Sequence, residues 1–471
     1  MPGVPIPLSE ILVATGARIR GQIAHDISFR WIERNSKAVQ PGDLFIAVSG
    51  ERFDGHQFIA DAAEHGAAAA LVSQAWADLQ TDVPLPLLVV DDPVAALQQI
   101  AAYRRRNLDL TVIGITGSIG KTSTKEVVAA IVGQKDRTYR SPGNMNSEIG
   151  LPLSLLEVDR ADRYGVFEMG GAYAFGELAL LAEIARPLIG VVTNVHPVHL
   201  ERMGSIENIA ITKRELVESL PPDGLAVLNG DDPRVLDMAG YANCEIVTYG
   251  LRPTNDIWAS DVQTHGMRGT SFRLHADGET LNVRIPLVGG HAPYLALPAI
   301  AIGRWLGLHI SEIVPGFDDP GIQVRLLVLE GPNGSTMIDD TYNASAPSVL
   351  SALDLLEEMA PGRRIAVLGD MRELGEESEG QHRLVGRRAT EVVDHLITYG
   401  PLATLIADEA RERSAETGGR VTDIRSFETD QREDLIAWLA SNTTEGDTVL
   451  LKGSRGLEME RIVAALEPAA K

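Results

Sequence analysis

The stretch from Val112 to Thr124, V-I-G-I-T-G-S-I-G-K-T-S-T, narrows the possible folds of this chain more than any other. Its β-branched run Val112, Ile113 and Ile115 reads as a strand, the glycines that follow as a tight loop, and Lys121 onward as the start of a helix. In such a loop successive backbone N–H groups point into one concavity and the helix N-terminus adds positive potential, so the element cradles phosphates. Lys121 is placed for the outer phosphates and the Thr122 hydroxyl for Mg2+. The spacing is a shortened variant of the usual motif, because Ile115 stands five places before Gly120 and the nearest glycines are Gly114 and Gly117. The competing reading, a strand-to-helix turn with a chance lysine, is disfavoured by the strand and helix on either side.

A chain of 471 residues exceeds one ordinary core, and about three domains are expected. No run of roughly 18 uncharged apolar residues occurs, and M-P-G-V-P-I-P-L lacks a basic segment before an apolar core, so a cytoplasmic protein that is not membrane-embedded is expected. The single cysteine, Cys244, excludes an intrachain disulfide and reads as a small packed residue in C-E-I-V-T-Y-G. A net charge of -23 argues against nucleic-acid or membrane-surface binding. Anionic phosphates would have to be met locally by Lys, Arg, helix ends and metal, whereas Mg2+ is favoured by the overall field.

Residues 1 to 107 read as a small α/β domain, with a strand within Pro41–Gly50, a helix entered from Phe53, a strand Pro86–Val90 and a helix from Pro93 to about Arg105. Asp54, Gly55 and His56 could hold a ligand, but a helix-capping loop is the stronger reading. Residues 108 to 318 read as a nucleotide module. Its strand Tyr164–Met169 ends in Glu168, and strand ends face the ligand crevice of a parallel sheet, so Glu168 is expected beside the phosphate loop as a Mg2+ ligand rather than as a surface or capping residue. Between them lies the turn-rich segment Arg140–Asn146 with two amides, Asn144 and Asn146.

The strand Leu188–Val195 runs into a segment carrying His196 and His199, open to a metal or general-base role or to that of satisfied loop histidines. Ser205 caps a helix, Ile206–Leu220, on which Lys213 alone would be solvated surface. A period-two pattern from Trp258 to Gly290 predicts an antiparallel addition, followed by a helix Tyr294–Leu306. Residues 319 to 471 open with a hairpin, Arg325–Glu330 and Ser335–Asp339, and continue as alternating strands and helices, a parallel sheet with helices on both faces. Its strand ends carry Asp340, Asp370, Lys452, Ser454 and Arg455. Polar strand-end groups in all three regions favour an ATP-dependent ligase or kinase that closes on its ligands over a nucleotide switch, which would need them in one region only.

Read together, T-G-S-I-G-K-T-S-T, S-P-G-N-M-N-S-E-I-G-L-P-L, E-M-G-G, T-N-V-H-P-V-H-L-E-R-M-G-S, L-N-G-D-D-P-R, I-D-D-T-Y-N-A-S, A-V-L-G-D-M-R-E-L-G and L-L-K-G-S-R-G resemble the Mur ligases, in order from about Ser36 to Met459. The resemblance implies three α/β domains: a small N-terminal one for a UDP-sugar peptide (1–107), a central P-loop ATPase with a mostly parallel sheet (108–318), and a C-terminal Rossmann-like one for the incoming amino compound (319–471). Within the family the motifs are most similar to members that join D-alanyl-D-alanine to UDP-N-acetylmuramoyl-tripeptide in peptidoglycan synthesis. It implies ATP, with two Mg2+, as the phosphoryl donor to a carboxylate, an acyl phosphate, and attack on it by the amine. A Mur-type ligase with another carboxylate and amine pair, or a non-catalytic scaffold, are the alternatives.

Residue by residue, the resemblance assigns Gly117, Ser118, Gly120, Lys121, Thr122 and Ser123 to the phosphate loop. Thr122 and Glu168 match ligands of one Mg2+, His199 the histidine of a second, and Lys213 a lysine often carried as a carbamate; Lys121, Glu168, His199 and Lys213 would be the catalytic set. Asn229, Asp231, Arg325, Asp340, Tyr342 and Asn343 match nucleotide-side positions. Asn35, Ser36, Asp54, Gly55, His56, Asn144, Asn146, Lys452, Ser454 and Arg455 match substrate-side positions. The chain departs from the family in Asn35-Ser36-Lys37 for D-S-R, at Ala292 and Leu295 where two asparagines meet adenine, and in the one-place shift of Pro347. A monomer is expected, and domain closure could leave Arg325 and Asp340 far from Lys121 without ligands.

Overall fold

A computed structural model describes residues 4–50, 53–171, 174–198, 200–266, 268–319, 322, 327–360 and 362–467. Among them are three main sheets, giving a three-domain α/β fold. The first has five strands in the order Arg18–Arg20, Leu87–Val90, Ala69–Ser73, Leu44–Ile46, Ile32–Glu33, parallel except for the first pair. A short antiparallel ladder, Ile6–Pro7 with Ser28–Phe29, lies beside it.

The central sheet has nine strands. Seven run parallel, in the order Ile257–Thr264, Glu245–Gly250, Leu225–Asn229, Ile189–Val192, Thr111–Thr116, Tyr164–Glu168, Thr138–Arg140. The expected antiparallel addition is Thr270–Ala276 and Glu279–Ile285, paired outside Ile257–Thr264. Strands covered on both faces are apolar throughout, as Val112, Ile113 and Ile115 are here, each fully buried. The phosphate-loop helix Lys121–Val132 and the helix Ala292–Trp305 share one apolar core with this sheet.

The opposite face joins the N-terminal region in a way no local pattern announces. Ile11, Leu71 and Leu97 belong to the same apolar core as Leu151, Phe167 and Leu178 of the central domain. Two neighbouring arginines on the helix Pro93–Arg106 fasten this seam: Arg104 donates to Glu10 (3.0 Å) and Leu156 O (3.4 Å), and Arg105 to Ala185 O (2.7 Å) and Leu110 O (2.9 Å). Burial pulls the Arg105 guanidinium down to about 10, still charged at neutral pH.

The third sheet orders its strands Leu327–Glu330, Thr336–Asp340, Thr448–Lys452, Arg364–Gly369, His395–Tyr399, Asp423–Phe427, parallel after the first pair. Alternation decides its two cores. Ala366 and Leu368 face the helices Ala346–Met359, Ser378–Val392 and Thr404–Thr417, while Ile365 and Val367 face Arg432–Asn442 and Glu460–Leu466. The edge strand Asp423–Phe427 and the helices Gly150–Glu157, Glu177–Ala185 and Glu460–Leu466 add to the elements expected from sequence. The helix Thr404–Thr417 starts no earlier than Thr404, because Leu402 and Ala403 donate their N–H groups to Asp370. Cys244 is half-buried against its neighbours, and among the described residues no helix is long and apolar enough to cross a membrane.

Candidate active site

The phosphate loop spans the four residues between the strand Thr111–Thr116 and the helix starting at Lys121. Two of its glycines are dictated by geometry. Gly117 has φ +142°, and a Cβ there would lie 2.0 Å from Thr193 Oγ1; Gly120 has φ +82° and caps the helix from the left-handed region. The loop is buttressed by the next strand end, since Ile119 N–H donates to Asn194 Oδ1 (2.9 Å), Thr193 Oγ1 to Ile119 O (2.7 Å), and His196 N–H to Ser118 Oγ (2.9 Å). Lys121 Nζ lies in the concavity, donating to Gly117 O (2.7 Å) and Ser118 O (3.2 Å).

Glu168 closes one side. It is 2% exposed, accepts a hydrogen bond from the Thr122 hydroxyl on one oxygen, and accepts from Asn146 Nδ2 (2.7 Å) on the other. The strand end thus brings the carboxylate to the phosphate loop, as parallel-sheet geometry requires. Lys213 is the larger surprise, because a lysine on a helix ordinarily reaches solvent, yet this one shares the buried face with Ile209, Leu216 and Val217, is 3% exposed and donates to Gly171 O at 2.5 Å. Burial, reinforced by the nearby positive charge of Lys121, pulls its ammonium down to about 7, against the smaller opposing pull of Glu177, Glu215 and Glu168.

Asn229 and Asp231 form the far wall. Asn229 Nδ2 donates to Thr193 O (2.8 Å), tying this wall to the loop's buttress. Burial alone would raise the Asp231 carboxyl, but donation from Leu251 N–H, Tyr294 Oη (2.8 Å) and Asn255 Nδ2 (3.0 Å) outweighs it and holds the group below the usual carboxylate range. Ala292 is fully buried, and Leu295 lines the cleft with a methyl 3.8 Å from the Cβ position of Gly120. Apolar surface therefore stands at both positions where the family pattern has asparagine.

Across from the loop, the C-terminal domain supplies Asp340, Tyr342 and Asn343. Lys452, 3% exposed, donates to Asp340 Oδ2 (2.6 Å) and Asn343 O (3.0 Å), and the Arg455 guanidinium lies 5.3 Å from the Tyr342 ring centroid. His291 of the central domain feels these groups: burial lowers its pKa, Asp340 opposes and Lys452 reinforces the shift. The two domains thus meet over one cleft of about 1070 Å3 that Lys121 and Asp340 both line.

All of Gly117, Ser118, Gly120, Lys121, Thr122, Ser123, Asn144, Asn146, Glu168, Lys213, Asn229, Asp231, Asp340, Tyr342, Asn343, Lys452, Ser454 and Arg455 line this cleft. Asn35, Ser36, Asp54, Gly55 and His56 do not. Asn35 caps a short 3-10 turn, accepting from Lys37 N–H (3.2 Å), and Ser36 is buried. Asp54 caps the next turn, accepting from His56 N–H (3.1 Å) and from His56 Nδ1 (2.6 Å), while Ser73 N–H donates to His56 Nε2 (3.1 Å). The capping alternative for this loop describes these bonds. His199 and Arg325 lie outside the described residues. The cleft also takes in Thr193, Asn194, Glu177, His291 and Arg372. The T-N-V-H run at a strand end signalled the first two, and Arg372 stands in the A-V-L-G-D-M-R-E-L-G motif.

Family models match in three consecutive blocks: the catalytic domain of the Mur ligase family over residues 28–105, the Mur ligase middle domain over 115–303, and the Mur ligase glutamate ligase domain over 324–455. The UDP-N-acetylmuramoyl-tripeptide–D-alanyl-D-alanine ligase of Bacillus subtilis is 35% identical over 451 residues, 92% of each chain. That of Escherichia coli is 32% identical over 98% of this chain and 99% of its own. Among solved structures, MurF from Acinetobacter baumannii is similar with a TM-score of 0.85 at 29% identity, over 98% of this chain and 99% of that one. MurF from Thermotoga maritima in complex with ADP gives 0.76 at 30% identity, over 92% and 96%.

Proposed function

The chain belongs to the Mur ligase family, and on that footing we propose that it joins D-alanyl-D-alanine to UDP-N-acetylmuramoyl-tripeptide at the expense of ATP, in peptidoglycan precursor synthesis. The observation that carries the reading is the phosphate loop, with Thr122 and Glu168 at its mouth, facing the C-terminal Asp340–Lys452 pair across one cleft. A carboxylate is a poor acyl donor until one oxygen becomes part of a phosphate leaving group. Transfer of the terminal phosphoryl group to the tripeptide carboxylate gives an acyl phosphate; the dipeptide amine then forms the C–N bond as the C–O bond to phosphate breaks. Such chemistry needs positioning and charge neutralisation more than acid–base work. The loop N–H groups and Lys121 receive the phosphates, and Asp231 with its ring of donors gives the nucleotide side a fixed wall.

One hydroxyl and one buried carboxylate hydrogen-bonded across the loop fit Mg2+, which takes one or two protein oxygens and completes its shell with water and phosphate oxygens. Thr122 and Glu168 would hold it, and bound there it would neutralise charge on the transferring phosphoryl group. We assign a second Mg2+ to His199. A buried Lys213 amine that is substantially neutral at physiological pH is nucleophilic toward CO2, which supports its carriage as a carbamate. The assignment of 1–107 to the UDP-sugar peptide, 108–318 to ATP and 319–471 to the amino compound follows the same reading, as do a cytoplasmic location and a monomer.

The test is phosphate release from MgATP with UDP-N-acetylmuramoyl-tripeptide, with and without D-alanyl-D-alanine, together with the product mass. Release that needs both substrates and yields the pentapeptide nucleotide is expected. Release that ignores D-alanyl-D-alanine, or a product carrying another amine, would overturn the acceptor assignment.

A further inference from the structure

A buried cation outside the site's established parts stands one helical turn beyond Lys121. Lys125 is fully buried. Its ammonium donates to Ser141 O (2.5 Å) and Gly143 O (3.1 Å) and forms an ion pair with Glu126 Oε1 (3.1 Å). Two of those acceptors are main-chain carbonyls of the turn-rich segment that ends at Asn146. Glu126 is shared with Arg140 at the head of that segment, 3.0 Å away.

The segment is bonded in turn to Glu168. Ser141 Oγ accepts from Glu168 N–H (3.2 Å), and Asn146 Nδ2 donates to Glu168 Oε1 (2.7 Å). At the other oxygen of the same carboxylate stands Thr122, three residues before Lys125 on the same helix. The helix therefore holds Glu168 twice, directly through Thr122 and indirectly through Lys125 and the 141–146 segment. Such a closed ring fixes both the approach and the rotation of the carboxylate, which one hydrogen bond cannot do.

Resting on the ligase reading, we propose that Lys125 is a positioning residue of the metal and phosphate site, which clamps the 141–146 segment so that Asn146 and Thr122 aim Glu168 at a divalent cation. Lys125 touches neither cation nor phosphate in this role. A lysine that only staples a loop would affect stability and leave cation affinity alone.

The experiment titrates Mn2+ by its electron paramagnetic resonance signal into full-length protein saturated with ADP. No ligation substrate is present, so a wrong acceptor assignment leaves the readout intact. K125M keeps the apolar stem, and Glu126 retains Arg140, so no carboxylate is stranded; K125Q is the second variant, and circular dichroism checks both. Expected is a weakening of Mn2+ binding by about tenfold or more, the usual scale for a lost supporting group around a metal, with metal-free ADP affinity unchanged. N146A should weaken it similarly, and the K125M and N146A effects should not multiply in the double variant, because they break one ring. Unchanged Mn2+ affinity in a folded variant, multiplicative effects, or failure of both variants to fold would overturn the proposal, the last by assigning Lys125 to the fold itself.

Discussion

Lys213 yields the sharpest quantitative expectation. Its ordinary pKa of 10.5 would leave about three amines in ten thousand neutral at pH 7, whereas a value of about 7 leaves roughly half neutral. Burial thus raises the population able to attack CO2 about a thousandfold, with no other change to the group. At pH 6 the neutral share drops to about a tenth and at pH 8 it reaches about nine tenths, from the same titration. Carbamate occupancy should therefore climb through neutrality at fixed dissolved CO2. Carbon-13 NMR of protein equilibrated with labelled bicarbonate at the three pH values measures it, with Lys213→Ala as the blank. The reasoning fails if active protein shows no carbamate resonance that depends on Lys213, or if the amine, freed of CO2, titrates near 10.5.

The same shift links to stability: between about 7 and 10.5 the unfolded chain binds a proton at Lys213 that the folded one does not, so stability should rise with pH there, and Lys213→Met should lack that slope in urea titrations. Gly117→Ala places a Cβ 2.0 Å from Thr193 Oγ1 at φ +142°, and strain of about 1–3 kcal/mol predicts roughly tenfold to hundredfold weaker ATP binding by calorimetry, eased in part by adding Thr193→Ala. Asp340→Ala leaves the ammonium of Lys452, 3% exposed, without its carboxylate; a loss of about 3–5 kcal/mol by chemical denaturation is expected, with Asp340→Ala/Lys452→Met recovering most of it. His382 accepts from Met371 N–H at Nε2 and donates from Nδ1 to Ser378 O, and burial lowers its pKa. Its unfolded form protonates first as pH falls through about 6.5, so its contribution to stability is lost on acidification, and proton NMR should find it less charged than exposed histidines at the pH where they are half charged.

The phosphate loop, the carboxylate at the end of Tyr164–Glu168, the antiparallel addition and the Asp54 cap were all legible in the amino-acid sequence. In each case the deciding bonds close within a few residues or follow from strand period. Gly117 and Gly120 belong here too, since a strand that must turn into a helix over four residues needs positive φ. The sequence also carried the order of motifs from which the family could be read.

Tertiary structure decided what local spacing leaves open. Lys213 falls on the stripe of its helix that carries Ile209, Leu216 and Val217, and only the tertiary packing over that face buries the ammonium against Gly171 O and lowers its pKa. Lys125 gains its role from carbonyls 16 and 18 residues on, and Lys452 from a carboxylate 112 residues back. The N-terminal region and the central domain share one apolar core, and His291 comes under the influence of Asp340, through docking that no period or turn encodes. A local hydrogen bond is specified by the residues that make it, whereas burial and charge coupling depend on everything else that packs around them.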